Sequence, residues 1–236
     1  EAVSQVQAGA HILDVNVGYP GLDEPKVARE AVKAVMEVVD VPICLDSANP
    51  EVMEAALEVY SGKIILSSVT GEAGKMERVL SLAKRHGAAI VALTMDDEGI
   101  PSDPEARLAI ARRIVERADT LGIPREDVIV DCACMTVSTD SRAALVALEA
   151  VRLVRDHLGC NLTLGASNVS YGLPERKTIN AAFLPMAIAA GVNCPIVDPT
   201  VPEIARAILA ADLLLGKDEY AMNYIRAYRA RQAATA

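Results

Sequence analysis

The chain of 236 residues has a net charge of −9 and 52% hydrophobic residues, with only 3% aromatic residues and no Trp. This balance argues against nucleic-acid binding, because phosphate contacts need a basic face and single-strand platforms need aromatic side chains. No apolar run approaches the roughly 20 residues that a membrane span requires. We therefore expect neither a nucleic acid nor a membrane as a partner.

Seven apolar runs rich in Val and Ile predict the strands of a parallel sheet that is covered on both faces. Each run ends in polar residues. In chain order the runs are His11–Gly18, Pro42–Ser47, Lys63–Val69, Ala89–Asp96, Val128–Cys134, Leu162–Ser170 and Val192–Asp198.

Segments with helical spacing separate these runs. Asn and Asp residues followed by Pro mark the beginnings of two helices, because they are preferred at the N-cap and Pro is tolerated in the first turn. These pairs are Asn49-Pro50 and Asp103-Pro104. Glycines predict helix ends, and two further helices are expected to close the chain. The glycines are Gly122 and Gly159, and the closing helices span Thr200–Gly216 and Asp218–Ala230.

The first residues, Glu1–His11, have periodic apolar positions and no N-cap, and we interpret them as the latter part of a helix. A helix that opens a β/α series implies a strand before it, which brings the strand count to the eight of a closed barrel. We therefore predict an α/β fold, a (β/α)8 TIM barrel whose first strand lies outside this sequence, formed by a single domain over residues 1–236. The alternative is an open doubly wound sheet, although no Gly-rich phosphate turn follows the first strand.

Polar side chains gather at the carboxyl ends of the predicted strands, where barrels carry their active sites. Asp14 and Asn16 are two apart and share a strand face. Asp46, Asp131 and Asn168 lie one apiece on three other strands. Further strand-end residues are Ser47, Ser67, Ser68, Asp96, Ser167 and Asp198. Helix capping explains Asn49, and a turn is sufficient to explain Asp198.

Carboxylates around an apolar pocket suit a neutral ring rich in N–H donors, because one carboxylate accepts from a ring N–H and an exocyclic amine together. The strand ends lack a cluster of Lys and Arg, which argues against a multiply phosphorylated substrate. They also lack a His base, since His11 begins a strand and His86 and His157 lie at predicted helix ends.

The five cysteines are odd in number and irregular in spacing, which predicts reduced thiols in a cytoplasmic protein. Cys132 and Cys134 share a predicted strand, and Cys44 and Cys194 lie on others. Because there are no CxxC pairs and no histidines at ligand spacing, we interpret them as buried structural thiols and expect no metal site.

Five stretches of this sequence resemble the pterin-binding family. They are GAHILDVNVGYPGLDE, VPICLDSANPEVMEAAL, GIPREDVIVD, LTLGASNVSYGLPERKTIN and FLPMAIAAGVN. Within that family they are most similar to methyltetrahydrofolate:corrinoid protein methyltransferases and to the folate domain of cobalamin-dependent methionine synthase. The resemblance covers roughly Ala8 to Asp198, and LGASNVSYGLPER is its most specific part.

The resemblance implies transfer of the N5 methyl group between methyltetrahydrofolate and the cobalt of a cobalamin-type corrinoid carried by a partner protein. It also implies a homodimer. In the family, residues matching Asp46 and Asp131 hold the pyrimidine edge of the pterin. Asn168 matches the amide that reaches N5, and we predict it to be the catalytic residue.

Three more positions complete the substrate-binding set that the resemblance implies. Asp14 and Asn16 match the first polar pair of the family's pocket. Ser67 stands where the family usually has Asn, so one donor or acceptor of shorter reach replaces an amide. A second departure is Cys132, which follows Asp131 where the family usually has Pro.

Two alternative functions stay open at the level of the sequence. The first is a dihydropteroate synthase-like condensing enzyme, which needs cationic groups for a departing pyrophosphate and an Arg-containing loop after the first strand. Here that loop reads GYPGLDEP and is acidic. The second is a non-catalytic module that binds a pterin or docks a partner. Methyl transfer to a reduced corrinoid, compared with simple pterin binding, distinguishes them.

Overall fold

The structure, a computed structural model, describes residues 1–235. Its centre is one sheet of six parallel strands that pair in chain order, each with the next. The strands are β1 Leu13–Asn16, β2 Ile43–Asp46, β3 Ile65–Val69, β4 Ala89–Leu93, β5 Val128–Asp131 and β6 Asn161–Thr163. Sequential parallel pairing brings the carboxyl ends of all these strands to one edge, as the barrel prediction requires.

Helices connect the strands and cover the outer face of the sheet. They are α1 Ala2–Gln7, α2 Glu24–Met36, α3 Pro50–Leu57, α4 Ala73–His86, α5 Pro104–Thr120, α6 Ala143–Leu158, α7 Arg176–Ala190, α8 Pro202–Leu214 and α9 Met222–Thr235. In the part of the chain that is described, none of them has the length and apolar character needed to cross a bilayer.

The predicted N-caps of two helices are confirmed. Asn49 Oδ1 accepts a hydrogen bond from the Glu51 N–H at 2.9 Å, and Asp103 Oδ2 accepts from the Ala106 N–H at 2.9 Å. Each cap satisfies a backbone donor that the first turn of a helix leaves without a partner. Gly159 ends α6 in the left-handed conformation, with φ of 63°, which a residue without Cβ adopts at no steric cost.

The apolar residues form two layers because successive strand residues point to opposite faces of the sheet. The larger layer lies between the strands and the helices and includes Leu45, Leu66, Ile90 and Val130. The smaller layer lies on the inner face of the sheet. It comprises Cys44, Ile65, Ala89, Val91 and Ile129. Burial on both faces explains why the strands appear as continuous apolar runs.

The seventh predicted strand, Val192–Asp198, is wrong as a strand. Within the described residues its ladder is reduced to a single parallel bridge between Ile196 and Gly165. The segment still lies beside β6, since the Asn193 side chain accepts from the Leu162 N–H at 2.9 Å and Ile196 donates to Leu164 O at 3.0 Å. Cys194 also donates to Leu162 O at 3.1 Å, so the bonds to β6 continue on both sides of Pro195, whose nitrogen lies on the edge away from β6.

The predicted strand Leu162–Ser170 is too long. β6 ends at Thr163, and Ala166–Ser170 form a 3₁₀ helix. The Ser170 hydroxyl bonds to Ser167 O at 3.2 Å and to Asn180 Oδ1 at 2.7 Å, which favours a turn over an extended ladder. The strand predicted before α1 lies outside the sequence and stays a prediction.

Candidate functional site

Three predicted site residues lie in one row across the ends of β1, β2 and β3. Asn16 is in register with Asp46, and Asp46 with Ser67. Asn16 Nδ2 donates to Asp46 Oδ2 at 2.8 Å, while Asn16 Oδ1 accepts from the Gly18 N–H at 2.8 Å. Both ends of the Asn16 amide are therefore engaged, and its orientation is fixed. Among residues 1–235, no donor bonds to the other Asp46 oxygen, Oδ1, which leaves it available to a ligand.

Asp14 lies one layer below this row, on the same face of β1 as Asn16. Burial raises the pKa of Asp14, the neighbouring Cys44 thiol opposes that rise, and the negative charge of Asp46 adds to it. Asp14 thus lies close enough to Asp46 for the two carboxylates to repel each other. The face shared by Asp14 and Asn16, which was predicted from their spacing, is confirmed.

Asp131 ends β5, across the inner face of the sheet from this row. Its Oδ1 accepts from the Ala133 N–H at 2.8 Å. Burial raises the pKa of Asp131 to about 6, the Ala133 N–H and the positive charge of Arg107 oppose the rise, and the charge of Asp46 adds to it. The Asp131 carboxyl is therefore mostly ionised at pH 7 and acts there as a hydrogen-bond acceptor.

Asn168 lies in the 3₁₀ helix that follows β6, with its side chain exposed. A Cβ at position 165 would lie 3.0 Å from Asn168 Nδ2, so Gly165 leaves room for the amide. Ser170 in the same turn has a different role. It is fully buried, donating to Asn180 Oδ1 at 2.7 Å and accepting from Arg176 Nε at 3.1 Å. Of this polar run, Ser170 holds the turn together and Asn168 is free to face a ligand.

The structure therefore brings most of the predicted site residues to one edge of the sheet. We call the side chains of Asp14, Asn16, Asp46, Ser67 and Asp131 the polar rim. Asn168 lies beyond β6 at the same edge and makes no hydrogen bond to the rim within the described residues.

Other strand-end carboxylates have local roles instead. Asp198 Oδ1 accepts from both the N–H and the hydroxyl of Thr200. Asp96 Oδ1 accepts from the Glu98 N–H at 3.1 Å. Both residues therefore stabilise turns, as a single Asp after a strand commonly does.

A cavity of about 510 Å³ opens onto the inner face below the polar rim. The strands contribute side chains that include Ile65, Val91 and Ile129 beside Asp14 and Thr163, and the rest of the wall comes from residues 5–12, residues 193–199 and α8. Of the polar rim, Asp14 lines this cavity. The Thr163 hydroxyl is buried and has no hydrogen-bond partner within the described residues. Carboxylates above apolar walls suit a flat ring that carries N–H donors on one edge.

All five cysteines are free thiols, and Cys44, Cys132, Cys134 and Cys160 are buried. Burial is the largest cause that raises the pKa of each of these four thiols, so they are protonated at neutral pH. Among residues 1–235, no group of three or more His, Cys, Asp or Glu side chains has the arrangement of a metal site.

Arg107 is the main residue near the rim that the sequence interpretation missed. It lies on α5, is 2% exposed, and donates through Nη1 to Cys132 O at 2.9 Å and to Ala133 O at 2.7 Å. The position of Arg107 relative to apolar residues of the same helix could have indicated its burial. Arg107 is three and seven residues before the buried Ile110 and Ile114, which places it on the apolar face of α5.

The fold and the site together define a class, an α/β barrel-type protein with an acidic strand-end rim suited to an N–H-rich ring. A model of the family described as pterin binding enzyme matches residues 1–198. The chain belongs to this pterin-binding enzyme family, as its sequence motifs indicated.

Two relatives show how the chain relates to characterised proteins. The methylcorrinoid:tetrahydrofolate methyltransferase of Eubacterium limosum is 31% identical over 237 residues, which cover 97% of this chain and 85% of that protein. Methionine synthase of Mycobacterium leprae is 31% identical over 209 residues, which cover 83% of this chain but 17% of that protein. The similarity to methionine synthase is thus confined to one part of a much longer chain.

Solved structures of dihydropteroate synthases share the fold. The Thermus thermophilus enzyme in complex with 4-aminobenzoate superposes with a TM-score of 0.71 at 25% identity, covering 90% of this chain and 88% of that one. The Yersinia pestis enzyme with a sulfonamide drug gives a TM-score of 0.70 at 15% identity, covering 92% and 84%. The predicted α/β fold of the TIM-barrel type is confirmed by these similarities.

The substitution Ser67→Asn tests whether the rim has the shape that the family resemblance implies. Ser67 is 7% exposed and in register with Asp46. An amide here adds a donor and an acceptor at longer reach, so we expect pterin binding to tighten or stay unchanged. Calorimetric titration with methyltetrahydrofolate measures this. Weaker binding by a variant with an unchanged unfolding transition would show that the pocket has a different shape at β3.

Proposed function

We propose that this protein is a methyltransferase that moves the N5 methyl group between methyltetrahydrofolate and the cobalt of a corrinoid held by a partner protein. The observation that carries the proposal is the pair Asp46 and Asp131. These two carboxylates lie two residues beyond Cys44 and Ile129 of the inner apolar layer, and the charge of Asp46 raises the pKa of Asp131. The 31% identity to the Eubacterium limosum methyltransferase over nearly the whole chain supports the same reaction.

The polar rim binds the pterin through its N–H edge. Asp46, with Oδ1 available and Oδ2 held by Asn16, accepts from ring or exocyclic N–H groups. Asp131, ionised above about pH 6, does the same from the opposite side. Hydrogen bonds from N–H donors to ionised acceptors are stronger than neutral ones, so these two residues supply much of the affinity and fix the orientation of the ring.

Asn168 is the proposed catalytic residue. Methyl transfer from N5 is difficult because an unprotonated N5 would leave as an amide-like anion. A proton on N5 makes the leaving group a neutral amine. Asn168 cannot supply that proton, but its amide oxygen can accept a hydrogen bond from N5–H while a water delivers the proton. The exposed position of Asn168 at the strand edge leaves its amide free for this contact.

The corrinoid enters as the second substrate. In its reduced Co(I) form it is the nucleophile: the cobalt electron pair forms the new bond to the methyl carbon as the bond from that carbon to N5 breaks. Tetrahydrofolate leaves with the proton on N5. In the reverse direction the same groups act on methylcorrinoid and tetrahydrofolate. The protein contributes orientation and electrostatics, and the reactivity belongs to the cobalt.

We further propose the organisation that the sequence suggests. Residues 1–236 form a single pterin-binding domain, and the protein acts as a homodimer in the cytoplasm. Free thiols at all five cysteine positions support a reducing compartment. The dimer rests on family resemblance, and sedimentation analysis of the purified protein tests it.

Dihydropteroate synthase activity is the second candidate, because those enzymes share the fold at 25% identity. The loop between β1 and α2 weighs against it. In that loop Asp23 Oδ1 accepts from the Lys26 N–H at 3.2 Å and caps α2, and no arginine is present to receive a departing pyrophosphate. A single preparation tests both reactions, with methyltetrahydrofolate and Co(I) cobalamin in one assay and a pterin pyrophosphate with 4-aminobenzoate in the other.

We expect methyl transfer in the first assay and no dihydropteroate in the second. Titration of the same preparation with methyltetrahydrofolate separates binding from turnover. Dihydropteroate formation without methyl transfer would favour the condensing enzyme. Tight pterin binding with neither reaction would favour a non-catalytic module.

A further inference from the structure

Arg107 is a buried cation that has no ion-pair partner among residues 1–235. Its guanidinium donates to three backbone carbonyl oxygens, at Pro101 through Nε at 2.7 Å and at Cys132 and Ala133 through Nη1. Among the described residues, no carboxylate lies within salt-bridge distance of it. Burial lowers the pKa of Arg107, while the negative charge of Asp131 is among the causes that oppose the decrease.

The position of Arg107 on its helix is unfavourable for a cation. It is the fourth residue of α5, which begins at Pro104. A helix N-terminus carries a partial positive charge that repels a cation in the first turns, and burial adds a desolvation cost. Helix stability therefore does not explain an arginine at this position. Two of its three carbonyl partners, Cys132 and Ala133, lie in the loop that follows Asp131.

That loop is held from two sides. The Asp131 carboxylate accepts from the Ala133 N–H, and Arg107 Nη1 bonds to the carbonyl of the same Ala133. Ala133 has a φ of 54°, a left-handed conformation that costs a non-glycine residue energy and persists only when its surroundings enforce it. Arg107, on the helix side of the sheet, helps to hold Ala133 in this conformation through its hydrogen bond to the Ala133 carbonyl.

After the Ala133 N–H, Arg107 is the group that most favours the ionised form of Asp131. Asp46 faces Asp131 from β2 and is negative. Cys132 and Cys134, in the loop itself, are buried thiols whose pKa is raised, so they are uncharged. Among the described groups that act on Asp131, Arg107 on α5 is the one cation.

We propose that Arg107 is a positioning residue for Asp131: it fixes the loop that orients the carboxylate, and its charge keeps the carboxylate ionised so that it accepts the pterin N–H. The part of this inference that concerns pterin binding rests on the proposed function. Arg107 does not touch the ligand and acts through Asp131. Geometry and charge are separable because Arg107→Gln keeps N–H donors without charge, whereas Arg107→Lys keeps charge without the planar fork.

The first measurement requires no ligand. ¹³C NMR of the Asp131 carboxyl follows its titration in the wild type, Arg107→Gln and Arg107→Lys. A neighbouring cation lowers a carboxyl pKa, so its loss in Arg107→Gln should raise the Asp131 midpoint by about one pH unit or more. In Arg107→Lys we expect the midpoint to stay within about half a unit of the wild type. An unchanged midpoint in Arg107→Gln would overturn the electrostatic part of the proposal.

The second measurement is methyltetrahydrofolate binding across pH. Wild-type affinity should fall as pH decreases through about 6, where Asp131 takes up a proton. In Arg107→Gln the fall should begin at higher pH, which weakens binding about threefold or more at pH 6.5 and much less at pH 9. Arg107→Lys should weaken binding by a similar factor at every pH, because the carbonyl contacts are lost. Equal weakening at every pH in both variants would reduce Arg107 to a structural role.

The matched control is Arg113→Gln. Arg113 lies on the same helix and also donates to a backbone carbonyl, Gly71 O at 3.0 Å, but it pairs with Asp96 rather than facing Asp131. Its substitution should leave both the Asp131 midpoint and the binding profile unchanged.

If Arg107→Gln does not fold, Arg107→Lys still tests the proposal, because wild-type affinity at every pH in that variant would contradict a positioning role for Arg107. Wild-type protein that binds no pterin would instead defeat the proposed function, while the NMR titration would still test the Arg107–Asp131 coupling.

Discussion

Replacing Asn168 by Ala should lower the kcat of methyl transfer about 10²–10³-fold, the scale seen when one group that stabilises a transition state is removed. Much of the pterin affinity should remain, because the ring edge is held by carboxylates on other strands. N5 gains its proton on the way to the transition state, so a partner at N5 matters more there than in the ground state. Single-turnover methyl transfer to Co(I) cobalamin, with the pterin saturating, measures the chemical step.

Two further variants sharpen this result. Asn168→Asp keeps an acceptor and adds negative charge near N5, which should raise the pKa of that nitrogen and partly restore the rate. Ser167→Ala is the matched control, since Ser167 is also exposed and its contacts to Arg176 and Ser170 are made by its backbone carbonyl oxygen. Methyl transfer by Asn168→Ala at the wild-type rate would make Asn168 a structural residue of the turn and contradict the mechanism.

Replacing Asp46 or Asp131 by Ala should weaken methyltetrahydrofolate binding strongly. Either change leaves buried ring N–H donors unpaired, a loss of about 1–3 kcal/mol and more where a charged partner is removed. Calorimetric titration at pH 8 measures the effect with Asp131 ionised in the wild type. Asp96→Ala is the control, because Asp96 is a strand-end carboxylate engaged by the Glu98 N–H and Arg113. Unchanged dissociation constants for both rim variants would show that the pterin does not bind at the proposed pocket.

The two rim variants should also differ in pH dependence. The charge of Asp46 raises the pKa of Asp131. Its removal in Asp46→Ala should therefore lower the Asp131 midpoint, and the residual affinity should persist to lower pH than in the wild type. In Asp131→Ala, the decrease in affinity near pH 6 should disappear because the group that titrates there is absent.

Most strands could be predicted from sequence because both of their faces are buried, which produces short apolar runs that end abruptly in polar residues. β1 to β5 all lie within the predicted runs. The strand predictions failed where individual contacts, rather than a repeating pattern of apolar residues, determine the backbone conformation. The last predicted strand is reduced to one bridge beside β6. The turn at Ala166–Ser170 is held by Ser170 and Asn180, a pairing ten residues apart that no periodicity reveals.

The rim was predictable for a related reason. In a parallel sheet the carboxyl ends of the strands meet at one edge, so a polar residue at each end implies a cluster even without a known register. The protonation state of the carboxylates in that cluster could not be predicted from the sequence. The raised pKa of Asp131 depends on burial and on charges at Asp46 and Arg107, which lie on other elements far apart in the chain.

The most direct measurement of the central claim traces the methyl group itself. Wild-type protein is mixed with one equivalent of methyltetrahydrofolate, labelled with ¹³C at the N5 methyl, and with Co(I) cobalamin, and the label is followed by NMR. The account predicts that the ¹³C signal moves from nitrogen to cobalt, with one tetrahydrofolate formed for each methyl transferred, and that the Asp46→Ala, Asp131→Ala double variant transfers far less at the same pterin concentration. A label that stays on N5 while the wild-type protein is saturated with the pterin would contradict it.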